Sequence, residues 1–346
     1  MQVDDQRAYW LEIAGLTVAA VLLFRFGLLG LVFLVPIQLV WIRRGEDAGA
    51  LASVGVILGI GVFKWIDYLR LRGTPGPDGV PAALLLLDLV FAAGLLAGLF
   101  MMNSDRLTVA DSSGETGRRT MTVPERMMAA VAVGTAIYGP TIGLLAAGDA
   151  AESAIAMQIE LMRPLFEAAG AGSEEIAVLV RVVIAAILSG LMFGFFVMVT
   201  SNWWLGVQIA FKSRFPLPAG NDIMARHAGY ELTEFRLPEY LVWALIGAWG
   251  GVLLSMVADL GWVSYFFWNA AFVTLALYGV QGIAIVWFYL DRRKVQKITR
   301  VGIAVGMVIG LLIPGLRFVV GVGLPGLGVS ELWIDYHRVK GSEEVS

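Results

Sequence analysis

The sequence predicts an all-α fold, a polytopic transmembrane helix bundle of about nine membrane helices with one amphipathic helix lying in the outer interface. Three observations carry this. Hydrophobic residues make up 58% of the chain and charged residues 15%, with a mean hydropathy of +0.77, far from the balance of a globular domain. About nine stretches approach the length of about 20 apolar residues that a hydrocarbon core about 30 Å thick demands of a helix. No polar segment is long enough to form a soluble core, so the 346 residues read as one membrane domain.

Helices are expected at about 8–24, 27–42, 49–70, 80–102, 126–147, 175–201, 239–258, 263–290 and 299–318. The first carries Glu12 and is preceded by Asp4, Asp5 and Arg7. Lacking a basic leader and a small-residue cleavage site, it is expected to stay in the protein. The second is short and follows after only Phe24-Arg25-Phe26-Gly27. The third and fourth form a hairpin turning at Thr74-Pro75-Gly76-Pro77-Asp78-Gly79. Between the fifth and sixth, residues 151–168 set Ile155, Ile159, Met162 and Phe166 against Glu152, Glu160, Arg163 and Glu167. That pattern suits a helix lying in the interface, bent at Pro164. Residues 213–238, with Pro216, Pro218, Gly220 and Pro238, read as a cytoplasmic connector between an amino-terminal six-helix block, 1–212, and a carboxy-terminal three-helix block, 239–346.

Charges choose the orientation. Basic residues gather at Arg43 and Arg44, at Arg106, Arg118, Arg119 and Arg126, at Lys212, Arg214, Arg226 and Arg236, and in the run 291–300. In this helix count all four groups fall on one face, which the positive-inside tendency makes cytoplasmic. The acidic segment 149–175 falls on the other, so the N-terminus is expected inside. Tryptophan agrees: Trp10, Trp41, Trp203, Trp204, Trp243 and Trp287 fall near inner ends, and Trp65, Trp262 and Trp268 near outer ends.

Several function classes are set aside. The chain has no cysteine, which excludes disulfides and thiolate metal sites. His227 and His337 are the only histidines, too few and too separate for a histidine metal cluster or a His-based triad. No Gly-rich phosphate loop with its Lys and Ser/Thr occurs, and Gly279-Val280-Gln281-Gly282 sits inside a helix with no strand before it. The loop around Arg118 and Arg119 also carries Asp105, Asp111, Glu115 and Glu125, a charge mixture unsuited to nucleic acid. The expectation is a non-enzyme without cofactor or metal, whose first partner is the lipid bilayer.

Polar groups at membrane depth are expensive and are usually paired or functional. Lys64 and Asp67 lie one turn apart near the outer end of the third helix. Lys64 and Asp88 are nearly equidistant from the hairpin centre, so the spacing predicts a charge pair. Such a pair either neutralises two buried charges and fixes register, or lines a ligand site. Glu12, Arg25 and Arg181 lie nearer helix ends and are expected to snorkel to the headgroups. On the eighth helix Trp268 and Asn269 occupy the outer third, and Asn269 needs hydrogen-bond partners that a neighbouring helix or a ligand would supply equally well. Small-residue pairs Gly55/Gly59, Gly94/Gly98 and Gly190/Gly194, with Gly302, Gly306 and Gly310, mark faces that pack on helices of this chain or of a membrane protein partner.

The carboxy-terminal half carries Leu237-Pro238-Glu239-Tyr240-Leu241-Val242-Trp243, Trp268-Asn269, Leu277-Tyr278-Gly279-Val280-Gln281-Gly282-Ile283-Ala284, a basic turn at Arg292 to Lys294, and a glycine-rich end running to Glu331 and Arg338. In these features the chain resembles the YybS-like family of bacterial membrane proteins, a family of unknown function. The resemblance implies a multi-pass protein of the bacterial cytoplasmic (inner) membrane. That family is similar to the substrate-binding S components of energy-coupling-factor transporters and to the cell-shape protein MreD. What transfers by motif is Asn269, Gln281, Gly282 and Asp335, with roles unassigned. Two functions follow as expectations. One is a transport component binding a small molecule in an outer cavity walled by Lys64, Asp67, Asp88, Trp268 and Asn269. The other is a non-catalytic scaffold of envelope or cell-shape machinery.

Overall fold

The computed structural model of the chain describes residues 3–71, 82–104, 107–110, 118–147, 173–212 and 232–336. Ten α-helices dominate the described residues. In the amino-terminal unit, Met1–Ala228, these are α1 (Val3–Arg25), α2 (Leu34–Arg44), α3 (Glu46–Leu71), α4 (Ala82–Asn103), α5 (Val123–Ala147) and α6 (Ser173–Lys212). The carboxy-terminal unit, Gly229–Ser346, contains α7 (Leu241–Val257), α8 (Val263–Arg292), α9 (Lys297–Leu312) and α10 (Leu316–Ser330). An exception to the helical pattern is a short two-stranded antiparallel sheet, Thr108–Ala110 with Arg118–Thr120, in which Val109 faces Arg119. The interfacial helix expected at 151–168, the turn at 74–79, His227 and His337 lie outside the described residues.

Five helices are long and apolar enough to cross a membrane: Gln6–Arg25, Glu46–Arg70, Leu86–Asn103, Glu174–Lys212 and Val263–Arg292. The pair α9 and α10 makes a sixth if the two count as one broken span, bent by 119°. These helices expose large apolar side chains such as Leu58, Val62, Val182 and Phe266 along their outer faces, a surface matched to hydrocarbon rather than water. The remaining expected spans take other forms. Residues 27–42 become a 3-10 turn, Gly27–Val32, followed by the 11-residue α2, together roughly 28 Å long. Residues 239–258 form the 17-residue α7, and 126–147 fall within α5, whose Pro140 lies inside the helix. The span expected at 299–318 runs across Ile313-Pro314-Gly315, where the helix breaks and Gly315 takes φ +95°.

In the amino-terminal unit α2 is the centre. Leu34, Val35, Ile37, Val40, Trp41 and Ile42 are all buried, packed against α1, α3, α4 and α6. Gly45, at φ +86°, lets the chain turn directly into α3 while its N–H donates to Trp41 O at 3.0 Å. Two buried amides lock α2 to α4: Gln38 Nε2 donates to Asn103 Oδ1 at 2.9 Å, and Asn103 Nδ2 donates back to Gln38 Oε1 at 2.7 Å. Both side chains are fully buried, so each amide needs the other. The start of α5 is a capping box, Thr122 N–H donating to Glu125 Oε2 at 2.8 Å. Arg126, buried, donates to Met102 O at 3.1 Å and so caps the end of α4.

The small-residue faces of this unit divide. An added Cβ on Gly59 would meet Val21 of α1 at 2.7 Å, and one on Gly94 or Gly98 would meet Gly134 O at 3.1 Å or Ala130 O at 3.3 Å on α5. Those two faces pack within the chain. Gly190 and Gly194 meet nothing within 4 Å among the described residues.

The carboxy-terminal unit is built around α8, with α7 against one side and α10 against the other. Contact with α10 is backbone on backbone. A Cβ on Gly282 would overlap the Leu324 carbonyl, and one on Gly328 the Tyr278 carbonyl, so glycine at both positions is what admits this approach.

Candidate functional site

Charged residues of the amino-terminal unit collect at its two ends. At the end where α2 finishes, Glu12 of α1 accepts hydrogen bonds from Arg43 at 3.0 Å and from Arg44. The Arg44 guanidinium also lies 5.1 Å from the Tyr9 ring centroid. Glu12 and Arg25, expected to reach the headgroups, are each paired with a counter-charge. The packing of α1 on α2 brings the Glu12 carboxylate to two arginines 31 and 32 residues away in the chain.

At the other end, α1, α3 and α4 bring four charges together. Lys64 Nζ pairs with Asp88 Oδ2, as the hairpin spacing predicts. Arg25 makes a two-pronged contact with Asp67, Nη1 to Oδ2 at 3.1 Å and Nη2 to Oδ1 at 3.2 Å, the geometry in which guanidinium–carboxylate pairing is strongest. Its guanidinium also lies 5.1 Å from the Phe63 ring centroid. These side chains surround a cavity of about 370 Å³, whose wall is completed by Val21, Phe24, Ile60 and Phe63. Arg25 is the member that sequence reasoning missed. Its partner lies 42 residues away on a helix that becomes a neighbour only after α2 has passed, and no local spacing reports that.

The other two expected site residues belong to the carboxy-terminal unit. Trp268 packs edge-on to Trp249, with centroids 6.4 Å apart, and tilted against Phe272 at 5.5 Å. Asn269 is buried and donates to Tyr265 O at 2.7 Å. The structure joins Lys64, Asp67 and Asp88 in one cavity, places Trp268 in an aromatic cluster with Trp249 and Phe272, and gives the Asn269 amide a bond within its own helix.

The motif residues Gln281, Gly282 and Asp335 converge where the chain enters α7 and leaves α10. Gln281 accepts from Leu237 N–H at 3.1 Å and donates to Glu331 Oε2 at 2.7 Å. Arg236 reaches Glu331 at 4.0 Å and Asp335 at 3.3 Å. The Glu331 side chain is only 7% exposed, so the amide and the arginine replace the hydration its carboxylate loses on burial. Gly282, next along α8, admits the α10 backbone. Sequence reasoning missed Arg236 and Glu331; their charges at the two edges of the helical block are the signal that pairs them. Asn269 lies about 18 Å away along α8.

Several apolar spans with paired charges at their ends define a multi-pass membrane protein. The chain belongs to the family described as "Predicted membrane protein (DUF2232)", whose model matches residues 127–325, more than half of its length. The match takes in Asn269, Gln281 and Gly282 and stops before Asp335; Arg25, Lys64, Asp67 and Asp88 precede it. No curated protein and no solved structure matches the chain.

Proposed function

We propose that this protein is the small-molecule-binding component of a transport system in the bacterial inner membrane, with its N-terminus in the cytoplasm and the charged cavity open to the outer side. The observation that supports this reading is the cavity between α1, α3 and α4, in which Arg25, Lys64, Asp67 and Asp88 share one space. Ionisable groups gathered in a membrane bundle are costly and commonly mark a substrate or ion pathway, and register alone needs only one pair. The resemblance to S components, whose ligands sit in the outer half of a helical bundle, points the same way. The chain binds and presents; it does no chemistry.

A scaffold role, in line with the resemblance to MreD, is favoured by a different observation: Gly302 and Gly306 of α9 meet nothing within 4 Å among the described residues. A partner helix would pack on that face.

Native mass spectrometry after gentle detergent extraction decides between them. The transport reading expects a bound small molecule on the wild-type chain that is lost from the Lys64→Ala/Asp88→Ala double variant, in which no single charge is left stranded. A wild-type chain that carries no small molecule but retains envelope or cell-shape proteins, and sheds them on Gly306→Leu, overturns it in favour of the scaffold.

A further inference from the structure

We propose that the ligand of the charged cavity is a membrane-resident amphiphile, with a zwitterionic phosphate–ammonium headgroup among the four charged side chains and a hydrocarbon chain in an adjoining groove beside α4, α5 and α6. The inference rests on the binding reading above and adds the class of ligand and the side from which it arrives. Asp88 carries it, because Asp88 borders two spaces. One is the charged cavity. The other is a groove of about 670 Å³ walled by Phe91, Tyr138, Ile187, Gly190 and Gly194. Both volumes lie within the range of about 300–1,000 Å³ usual for small-molecule sites.

The two spaces differ in chemistry as the two ends of an amphiphile differ. The groove is apolar except at Asp88 and Tyr138. Gly190 and Gly194 offer no side chain to fill it, and among the described residues Ile187 on its rim is exposed on a spanning helix, which turns its mouth toward hydrocarbon. The cavity holds two cations and two anions. A zwitterion adds no net charge to them, its phosphate accepting from Arg25 and Lys64 while its ammonium donates to Asp67 and Asp88. A ligand of single charge would leave one of these groups uncompensated. The four side chains are between 29% and 46% exposed, so binding needs no unfolding. A hydrocarbon chain gains little by leaving lipid for a groove. The headgroup therefore supplies selectivity, and the groove supplies orientation and a lateral route.

The test uses the full chain in mild detergent, with retention read by native mass spectrometry. The probes are phosphatidylethanolamine, phosphatidylglycerol and diacylglycerol of identical acyl chains, and water-soluble glycerophosphoethanolamine. Phosphatidylethanolamine is expected to be retained about tenfold or more over the other two lipids, and to be lost from the Lys64→Ala/Asp88→Ala variant. Gly190→Leu/Gly194→Leu is expected to lower its retention by a larger factor than that of glycerophosphoethanolamine, whose binding shows the variant to be folded. If glycerophosphoethanolamine binds as tightly as the whole lipid and the glycine changes affect both alike, the cavity reading stands and this inference falls. Equal retention of all three lipids, with glycerophosphoethanolamine unbound, overturns both, as does retention of none.

Discussion

Among the described residues of the amino-terminal unit, Glu12, Arg25, Lys64, Asp67 and Asp88 each have an identified counter-charge, and this makes single substitutions more damaging than paired ones. Removing Lys64 leaves Asp88 facing an empty place; removing both leaves only a larger cavity. For fully buried pairs the stranded charge costs about 3–5 kcal/mol. Here the side chains are 29% and 46% open, so about 1–3 kcal/mol is the fitting scale for either single alanine. The expected outcome of a Lys64→Ala and Asp88→Ala cycle, read by thermal unfolding in detergent, is a double variant more stable than Asp88→Ala alone. Additive losses would disprove the coupling. At this scale the sequence was legible only across a hairpin. Lys64 and Asp88 meet because counting outward from one turn brings them level. Arg25 and Asp67, Gln38 and Asn103, and Gln281 and Glu331 are separated by 42, 65 and 50 residues, and their meeting is decided by which helices become neighbours.

Helices, in contrast, announce their apolarity but not their breaks. Hydropathy reports the length of α3, α4 and α8 because nothing interrupts them. It runs straight through 27–32 and 313–315, where Gly27 at φ +58° and Gly315 at φ +95° redirect the backbone. Pro314-Gly315 is a stop signal, and an average over a long window conceals it. Small-residue patterns were legible as faces but not as partners: Gly59, Gly94 and Gly98 meet other helices of the unit, while Gly302 and Gly306 meet nothing within 4 Å among the described residues. The tightest contact falls outside those patterns, at Gly282 and Gly328. Two alanines on one helix isolate its importance. Gly326 has open space around it, whereas a Cβ on Gly328 would overlap the Tyr278 carbonyl. Both changes relieve the same helix-interior glycine penalty, worth roughly 0.5–1 kcal/mol in favour of alanine. Gly326→Ala is expected to leave the melting temperature unchanged or raise it, and Gly328→Ala to lower it by the equivalent of about 1–3 kcal/mol from overpacking. Equal melting temperatures would mean that α10 does not rest on α8 by its backbone.

For the whole molecule the consequential property is which face looks outward, since this decides the compartment that the charged cavity samples. Charge alone makes the prediction. Arg292, Arg293, Lys294, Lys297 and Arg300 crowd one end of α8, while its other end has only Asp259, and the positive-inside tendency puts the basic end in the cytoplasm. α6 gives a separate reading for the amino-terminal unit, with Glu174 and Glu175 in its first turn and Lys212 in its last. At 40 residues it is about 60 Å long, so its two ends clear the hydrocarbon on opposite sides. The chain has no cysteine of its own, and single cysteines therefore report without background. Asp259→Cys and Glu174→Cys are expected to react with a membrane-impermeant maleimide on intact cells, and Thr299→Cys and Lys212→Cys only after permeabilisation. All four residues are exposed, so failure to label reflects side and not burial. The reverse pattern would turn the cavity at Arg25, Lys64, Asp67 and Asp88 toward the cytoplasm, because α1 and α3 finish there and α4 begins there. It would then draw on the inner leaflet, and a component that captures its ligand from outside would be excluded by topology before any binding was measured.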